Sequence, residues 1–301
     1  MRKQLPPQRI AVTGASGLIG TALVAHLREE GHTVQRFVRR PTVASDEISW
    51  DPIAGTVDIE ALRGVDAVIH LAGAGVGDKR WTKRYRAEIL NSRLLGTTAI
   101  AHAVAEVKPA VFISASAIGY YGETGNRAVA ESDRSGDDFL AAVCREWESA
   151  ADLAGDVRTV KIRTGLVLEP TGGALGRMLP LFRFGLGGRL GSGKQWWSWI
   201  TLHDQVRAIC HILESNISGP VNLTSPNPVT NLEFTAALAR AMHRPALFPA
   251  PGFALRLLLG GFSTEILGSK KVLPEALTND GFEFEYPHLT NALTAMLPTD
   301  E

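Results

Sequence analysis

The sequence predicts an α/β protein, a doubly wound and mostly parallel sheet with a smaller C-terminal cap. Two observations carry this. Short apolar runs of strand length alternate with helix-period segments through the first half of the chain, and that beat is lost after about Thr164, where glycine and then proline become dense. A third is size and composition. At 301 residues, 45% hydrophobic and 21% charged, the chain suffices for one large α/β unit with an appendage and is too apolar for disorder.

Arg9–Thr13 (R-I-A-V-T) reads as a short buried strand, and Leu18–Arg28 as a helix with Leu18, Ile19, Ala22, Leu23 and Leu27 on one face. Strands follow at Thr33–Val38, Glu47–Trp50 and Ala67–Leu71. Lys83–Val107 is predicted as a long helix, Ala110–Ala115 as a strand, Asp138–Leu153 as a helix and Val157–Arg163 as a strand. Strands separated by helices imply right-handed crossovers and helices on both sheet faces. Glycine is dense between Gly172 and Gly193, which predicts irregular backbone near a site or hinge. One more helix (Asp204–Leu213) and strand (Pro220–Leu223) come next, and Thr230 with Glu233 forms a capping box opening a helix to about Met242. The expected division is residues 1–165 for the main unit with 199–223 returning to it, and 166–198 with 224–301 for the cap.

Lys plus Arg equals Asp plus Glu, 31 each, so there is no bulk field for a polyanion and no nucleic-acid partner is expected. Arg80, Lys83, Arg84 and Arg86 read as a solvated basic face. The two cysteines, Cys144 and Cys210, offer neither a disulfide framework nor zinc spacing; no metal is expected, and a reducing cytoplasm suits them. The basic start is followed by an apolar run broken at Thr13, Gly14, Ser16, Gly17 and Gly20, unlike a signal peptide. Phe253–Phe262 is too short to span a bilayer, so no membrane association is expected.

Chemistry enters at Gly14-Ala15-Ser16-Gly17-Leu18-Ile19-Gly20, between the first strand and first helix. Gly14 can take the tight turn, Gly17 lets the backbone approach a pyrophosphate, and Gly20 lets helix and strand pack closely. Such a βα turn is the phosphate-binding element of a Rossmann dinucleotide site. Gly14, Ser16, Gly17, Leu18 and Ile19 are the expected pyrophosphate contacts. The second strand ends at Val38-Arg39-Arg40. An acidic residue there would grip the ribose hydroxyls of NAD, whereas Arg39 and Arg40 offer bidentate donors to a 2′-phosphate, so NADP(H) is expected. Trp50 fits either an adenine contact or the core.

Three motifs together carry a resemblance: the glycine turn, His70-Leu71-Ala72-Gly73, and Ser114-Ala115-Ser116-Ala117-Ile118-Gly119-Tyr120-Tyr121-Gly122. The chain resembles the extended short-chain dehydrogenase/reductase superfamily, home of the nucleotide-sugar epimerases, and within it the "epimerase family" branch, also labelled cell-division-inhibitor-like. Asp138-Phe139-Leu140, Arg163-Thr164-Gly165, Gly185 to Gly193, Trp196-Trp197-Ser198-Trp199-Ile200, Asn222 to Pro228 and Gly281-Phe282 extend the resemblance over nearly the whole chain. One departure is Thr201 and His203, where the branch more usually has His and Asp. The resemblance implies a nicotinamide coenzyme across the C-terminal strand ends, lined by Leu71, Ala72 and Gly73. It places Ser116 on the catalytic Ser/Thr position and Arg163 near the nicotinamide. It also admits a homodimer through a helical interface; the substrate is a small molecule of unknown identity.

The superfamily's Tyr-x-x-x-Lys pair, one side chain moving the proton and the other lowering its pKa and holding the ribose, is absent. The equivalent positions are Phe139 and Val143, and no tyrosine of the chain has lysine four residues on. Three readings stand. Another group supplies the proton, with Tyr120 or Tyr121, just after Ser116, as the candidates. Alternatively the protein binds NADP(H) without turnover, as a redox sensor or scaffold. Or a substrate-assisted reaction needs only hydride transfer and orientation. Cys144 reads as a small core residue, His70 as a hydrogen-bonded structural histidine, and Asp204 as a capping residue of Thr201. Lys194, Gln195, Trp196 and Trp197 fit a substrate wall or a packed hinge equally. A hydrolase triad on Ser116 lacks the required elbow.

Overall fold

The structure is a computed structural model that describes residues 6–297. The basic start at residues 1–5 and residues 298–301 of the expected cap lie outside the described residues. The strands of the main sheet are β1 (Arg9–Thr13), β2 (Thr33–Val38), β3 (Glu47–Asp51), β4 (Thr56–Val57), β5 (Ala67–His70), β6 (Val111–Ala117), β7 (Thr159–Thr164) and β8 (Gly219–Leu223). Their spatial order is β8-β7-β6-β5-β1-β2-β3-β4, with every pairing parallel except β3 with β4. The doubly wound, mostly parallel sheet expected from the sequence is present. The antiparallel β4 was not foreseen; two residues are too few for a periodic signal.

Alternation along the strands sorts the core onto the two faces. Ile10, Val12, Ala67, Ile69, Val111, Ile113, Val160 and Ile162 pack under helices α1 (Leu18–Glu29) and α5 (Leu202–Glu214). Ala11, Val68 and Phe112 point the other way, against Ile100, Ala101 and Val104 of helix α2 (Lys83–Val107). Thr82 caps α2, its hydroxyl accepting from Tyr85 N at 3.1 Å, and Lys108 ends it in the left-handed region at φ 50°. Helix α3 (Phe139–Ala151) is capped by Asp138, which accepts from Ala141 N at 2.9 Å.

The glycine-dense stretch is more ordered than expected. Helix α4 (Gly173–Arg183) forms in it despite Pro180, because Leu175, Leu179 and Phe182 recur at helical spacing and are buried against Trp199, Phe234 and Leu293. Irregular backbone begins only after Phe184, with Gly185, Gly191 and Gly193 at positive φ. Helix α6 (Asn231–Ala241) opens with the full capping box of Thr230 and Glu233. Asp204 plays only half the capping role. Its N–H donates to Thr201 Oγ1 at 3.0 Å, while its buried carboxylate accepts from Glu285 N and Tyr286 N, both at 2.9 Å, tying the tail to α5. Among the described residues no helix is long and apolar enough to cross a membrane, and no His/Cys/Asp/Glu group could hold a metal.

Candidate active site

The strand order reverses between β1 and β5, so the loops after these strands diverge and open a crevice at their C-terminal ends. A groove of about 1310 Å³ occupies it. Its walls include Gly14 to Gly17, Val38 to Arg40, Trp50 and Leu71 to Gly75. At its floor Gly14 takes φ 67° and lies so close to the next loop that a Cβ there would come within 2.8 Å of Leu71 C. A Cβ on Gly20 would stand 2.1 Å from Gly14 O. Gly17 precedes α1 and provides no side-chain cap, so the first N–H groups of that helix, at Leu18 and Ile19, remain donors without helical acceptors. A glycine cradle, open helix N–H groups and a groove of this volume suit a dinucleotide pyrophosphate. Elsewhere in a helix Gly→Ala gains about 1 kcal/mol in propensity. Here steric overlap with backbone outweighs it, and Gly20→Ala is expected to cost about 1–3 kcal/mol in urea denaturation; a variant more stable than the wild type would contradict this packing.

Thr13 and His70 build the opposite wall. They are partners across the β1–β5 register. Thr13 Oγ1 accepts from Leu71 N at 3.0 Å and Ala72 N at 3.2 Å, so its own hydrogen goes to His70 Nδ1, 2.8 Å away. That pattern assigns the histidine proton to Nε2. His70 is fully buried, and desolvation pulls its pKa down to about 3. It is a structural histidine that orients the Leu71–Gly73 wall. The rim beyond is tied by side chains: Ala74 O accepts from Arg93 at 2.9 Å, Gly75 O from the Tyr85 hydroxyl, Val76 O from Trp81 Nε1 at 2.7 Å and Gly77 O from Arg177 Nη1 at 2.9 Å.

The two arginines after β2 differ. Arg40 is bidentate to Glu47, at 2.6 and 2.9 Å. With Val43 N also donating, this holds the Glu47 carboxylate down at about 2. Glu47 is the acidic residue missing from the end of β2, supplied by the next strand and already neutralised. Arg39 also lines the groove, and its guanidinium has no protein partner among the described residues. Trp50 is 6% exposed, with Phe37 edge-on at 5.9 Å; it is both core and groove wall.

Ser116, Arg163 and Asn222 stand level across β6, β7 and β8, since Ser116 pairs with Arg163 and Arg163 with Asn222 in the parallel register. Level residues share a face, and here they form one buried network. Ser116 Oγ donates to Glu148 Oε1 at 2.7 Å; Arg163 Nε and Nη2 donate to the two Glu148 oxygens, both at 2.8 Å. Arg163 Nη1 donates to the Tyr121 hydroxyl at 3.0 Å, which donates to Asn222 Oδ1 at 2.8 Å. Arg163 is 3% exposed; it does not line the groove, and its guanidinium is committed to Glu148 rather than standing open beside a nicotinamide. Burial pushes the Tyr121 hydroxyl up to about 12 against the pull of Arg163. Tyr120 lies over the same guanidinium at 3.4 Å from ring centroid, and its hydroxyl has no protein partner among the described residues. Cys144 is buried and its thiol is pushed up to about 12 by desolvation, an inert core residue. Of Lys194 to Trp197 none lines the groove: Gln195 Nε2 donates to Leu190 O at 2.9 Å and Trp197 packs on Phe234, as in a packed hinge.

Glu148 was not singled out from the sequence, although a signal existed. Leu140, Cys144 and Trp147 mark the buried face of α3, and Glu148 at i+4 from Cys144 and i+8 from Leu140 falls on it; a charge there requires a partner.

Fold and site define a Rossmann-type dinucleotide-binding protein. The family model described as "NAD dependent epimerase/dehydratase family" matches residues 10–142, and "Domain of unknown function (DUF1731)" matches residues 250–296. The chain is 46% identical over 94% of its length to epimerase family protein Mb2239 of Mycobacterium bovis, covering 96% of that protein. It is also similar to the crystal structure of human epimerase family protein SDR39U1 (isoform 2) with NADPH, at TM-score 0.89 and 34% identity, covering 96% of this chain and 98% of that one. A Corynebacterium glutamicum nucleoside-diphosphate sugar epimerase superposes with TM-score 0.79 at 35% identity, over 97% of this chain and 58% of that one. The chain belongs to this family of epimerase family proteins within the extended short-chain dehydrogenase/reductases.

Proposed function

We propose that the protein binds NADP(H) and transfers hydride to or from a small carbonyl or sugar-nucleotide-like substrate, without the usual Tyr-x-x-x-Lys pair. The single observation that carries the reading is the groove running from the glycine cradle to an unpartnered Arg39. Its support is the likeness to the human relative crystallised with NADPH. Gly14, Ser16 and Gly17, with the N–H groups of Leu18 and Ile19, would hold the pyrophosphate. Leu71, Ala72 and Gly73 would line the inner ribose and Arg39 would meet the 2′-phosphate, with Arg40 held behind it by Glu47. The coenzyme, when bound, supplies or accepts the hydride.

The rest falls to the chain. Ser116 Oγ has given its hydrogen to Glu148, so its lone pairs can accept from a substrate hydroxyl. Tyr121 is saturated by Arg163 and Asn222 and is a poor acid at neutral pH. Tyr120, whose ring lies on the Arg163 guanidinium and whose hydroxyl has no protein partner among the described residues, is the proton donor that remains. A second reading, NADP(H) binding without turnover, is favoured by one observation: Phe139 and Val143 stand where the proton-moving pair would be, and Val143 is packed in an apolar cluster.

Titration of NADPH and NADH against intrinsic tryptophan fluorescence tests the reading. NADPH is expected to bind at least about tenfold more tightly, the worth of one charge-assisted contact, and Arg39→Ala to remove most of that difference. Equal affinities for the two coenzymes would overturn the 2′-phosphate assignment. Substrate-dependent NADPH oxidation that is lost in Ser116→Ala would separate the enzyme from the non-catalytic reading.

A further inference from the structure

Helix α7 (Gly252–Leu259) is built of Phe, Ala, four Leu, one Gly and one Arg, yet none of its residues is buried. Phe253, Leu257 and Leu258 are each at least 73% exposed, and Phe253 and Leu257, four apart, share a face. Two neighbouring segments extend this surface. Phe248 N donates to Gly187 O at 3.2 Å and Ala250 N to Arg189 O at 2.9 Å, while a Cβ on Gly188 would fall 2.0 Å from Phe248 O. Residues 185–191 therefore run against 247–250, and Phe184, Leu186, Leu247 and Phe248 beside this contact are all exposed. The join to α7 is close as well, since Gly191 N donates to Ala250 O at 2.8 Å and Cβ atoms on Gly191 and Gly252 would both meet Leu267. Apolar groups exposed together on this scale mark a surface made for contact.

Charge says with what. Lys plus Arg balances Asp plus Glu over the chain, but not here. Between Glu169 and Asp204, and again between Glu233 and Glu265, there is no carboxylate side chain, while seven Lys or Arg occur: Arg177, Arg183, Arg189 and Lys194 in the first stretch, Arg240, Arg244 and Arg256 in the second. Arg183, Arg189, Arg244 and Arg256 are exposed, and none has a carboxylate partner among the described residues. The cationic rim continues past α7. A Cβ on Gly260 would meet Arg80 Nε at 2.9 Å and one on Gly261 would meet Arg86 Nη2 at 3.0 Å, which brings in the basic cluster at the start of α2.

A second copy of the chain is a poor occupant. A two-fold contact sets the same patch against itself, so the rims would repel. The apolar side chains also stand out singly from a helix and two loop tips, a relief that suits a soft apolar medium rather than a preformed complement. Phe and Leu projecting from a short helix, flanked by Arg, are what an interfacial element needs to enter the headgroup boundary of an anionic bilayer.

We propose that α7 and the adjoining loops form a peripheral docking surface for an anionic lipid bilayer, with Phe184, Phe248, Phe253 and Leu257 entering the interface and Arg183, Arg189, Arg244 and Arg256 meeting lipid phosphates. The expectation of no membrane association weighed only spanning; a segment too short to span a bilayer can lie on one. The docked edge is continuous with the groove rim, because Trp81, against Gly261, also donates to Val76 O at 2.7 Å.

The test is co-sedimentation of the full chain with vesicles of phosphatidylcholine alone and of phosphatidylcholine with about 30% phosphatidylglycerol. The anionic vesicles are expected to bind at least about tenfold more strongly, and less so as salt is raised. The double variant Phe253→Ser/Leu257→Ser should weaken that binding about tenfold or more. If this variant does not fold, Arg183→Glu/Arg256→Glu carries the test, with a loss of similar size expected on anionic vesicles. No binding to either vesicle overturns the proposal, as does equal binding to both or binding that the folded variants leave unchanged. Sedimentation velocity gives the rival outcome: a wild-type dimer that Phe253→Ser/Leu257→Ser converts to monomer, without vesicle binding, would assign the surface to a second copy and overturn the proposal.

Discussion

Glu148→Ala is expected to destabilise the protein by about 3–5 kcal/mol, because it leaves Arg163 as a buried cation without its counter-charge. Arg163 donates twice to that carboxylate and is 3% exposed, so water cannot take over the lost contacts. Ser116 loses its acceptor at the same time. For a chain of this size the loss corresponds to a fall in Tm of roughly 5–8 °C. The double variant Glu148→Leu/Arg163→Met removes both charges and should recover a large part of the deficit, since a buried pair contributes little over well-packed apolar groups while half a pair is expensive. Thermal unfolding of the two single variants and the double variant checks this. If Glu148→Ala unfolds within 1–2 °C of the wild type, the pair is not buried in solution as described.

The second large effect is a pH dependence centred on His70. Its folded-state pKa is near 3, against 6.5 for the ordinary imidazole, because burial disfavours the charged ring. Between those values the unfolded chain binds a proton that the folded chain refuses. Stability is therefore complete above pH 6.5 and falls as the pH is lowered, by about 1.4 kcal/mol per pH unit, on the order of 4–5 kcal/mol in all by pH 3. His70→Gln keeps an acceptor for the Thr13 hydroxyl but does not titrate. Its stability at neutral pH will differ by a fixed amount, and its loss of stability between pH 6.5 and 4 should be shallower than the wild type's by one proton. Urea denaturation across that range measures both slopes; parallel curves would show that His70 protonates freely in the folded state.

Much of the coenzyme half was legible because its signals are local. A strand of alternating Ile10 and Val12, a glycine turn and an amphipathic helix are contiguous, and each residue's role follows from its neighbours. The run Leu175, Leu179, Phe182 was equally periodic, but the surrounding glycines and Pro180 masked it, and packing against Phe234 and Leu293 decided the matter in favour of a helix. The rest of the site is non-local. Ser116, Arg163 and Asn222 become neighbours only once three strands are in register, and Glu148 reaches them from a helix whose amphipathic pattern flagged the oddity without naming the partner. Arg93 carries no local signal. On a long polar helix it looks like any solvated arginine until α3 is laid against it. Glu47 escaped notice because the acidic residue was sought at the end of β2, whereas it sits on the adjoining strand.

The carbonyls at residues 74 to 77 are each held by a different side chain, from Arg93, Tyr85, Trp81 and Arg177. A segment so moored has little freedom left to surrender when a guest arrives. Capture then resembles docking into a mould rather than the folding of a flap, and Arg177, anchored in α4, couples any shift of that helix to the mouth of the mould.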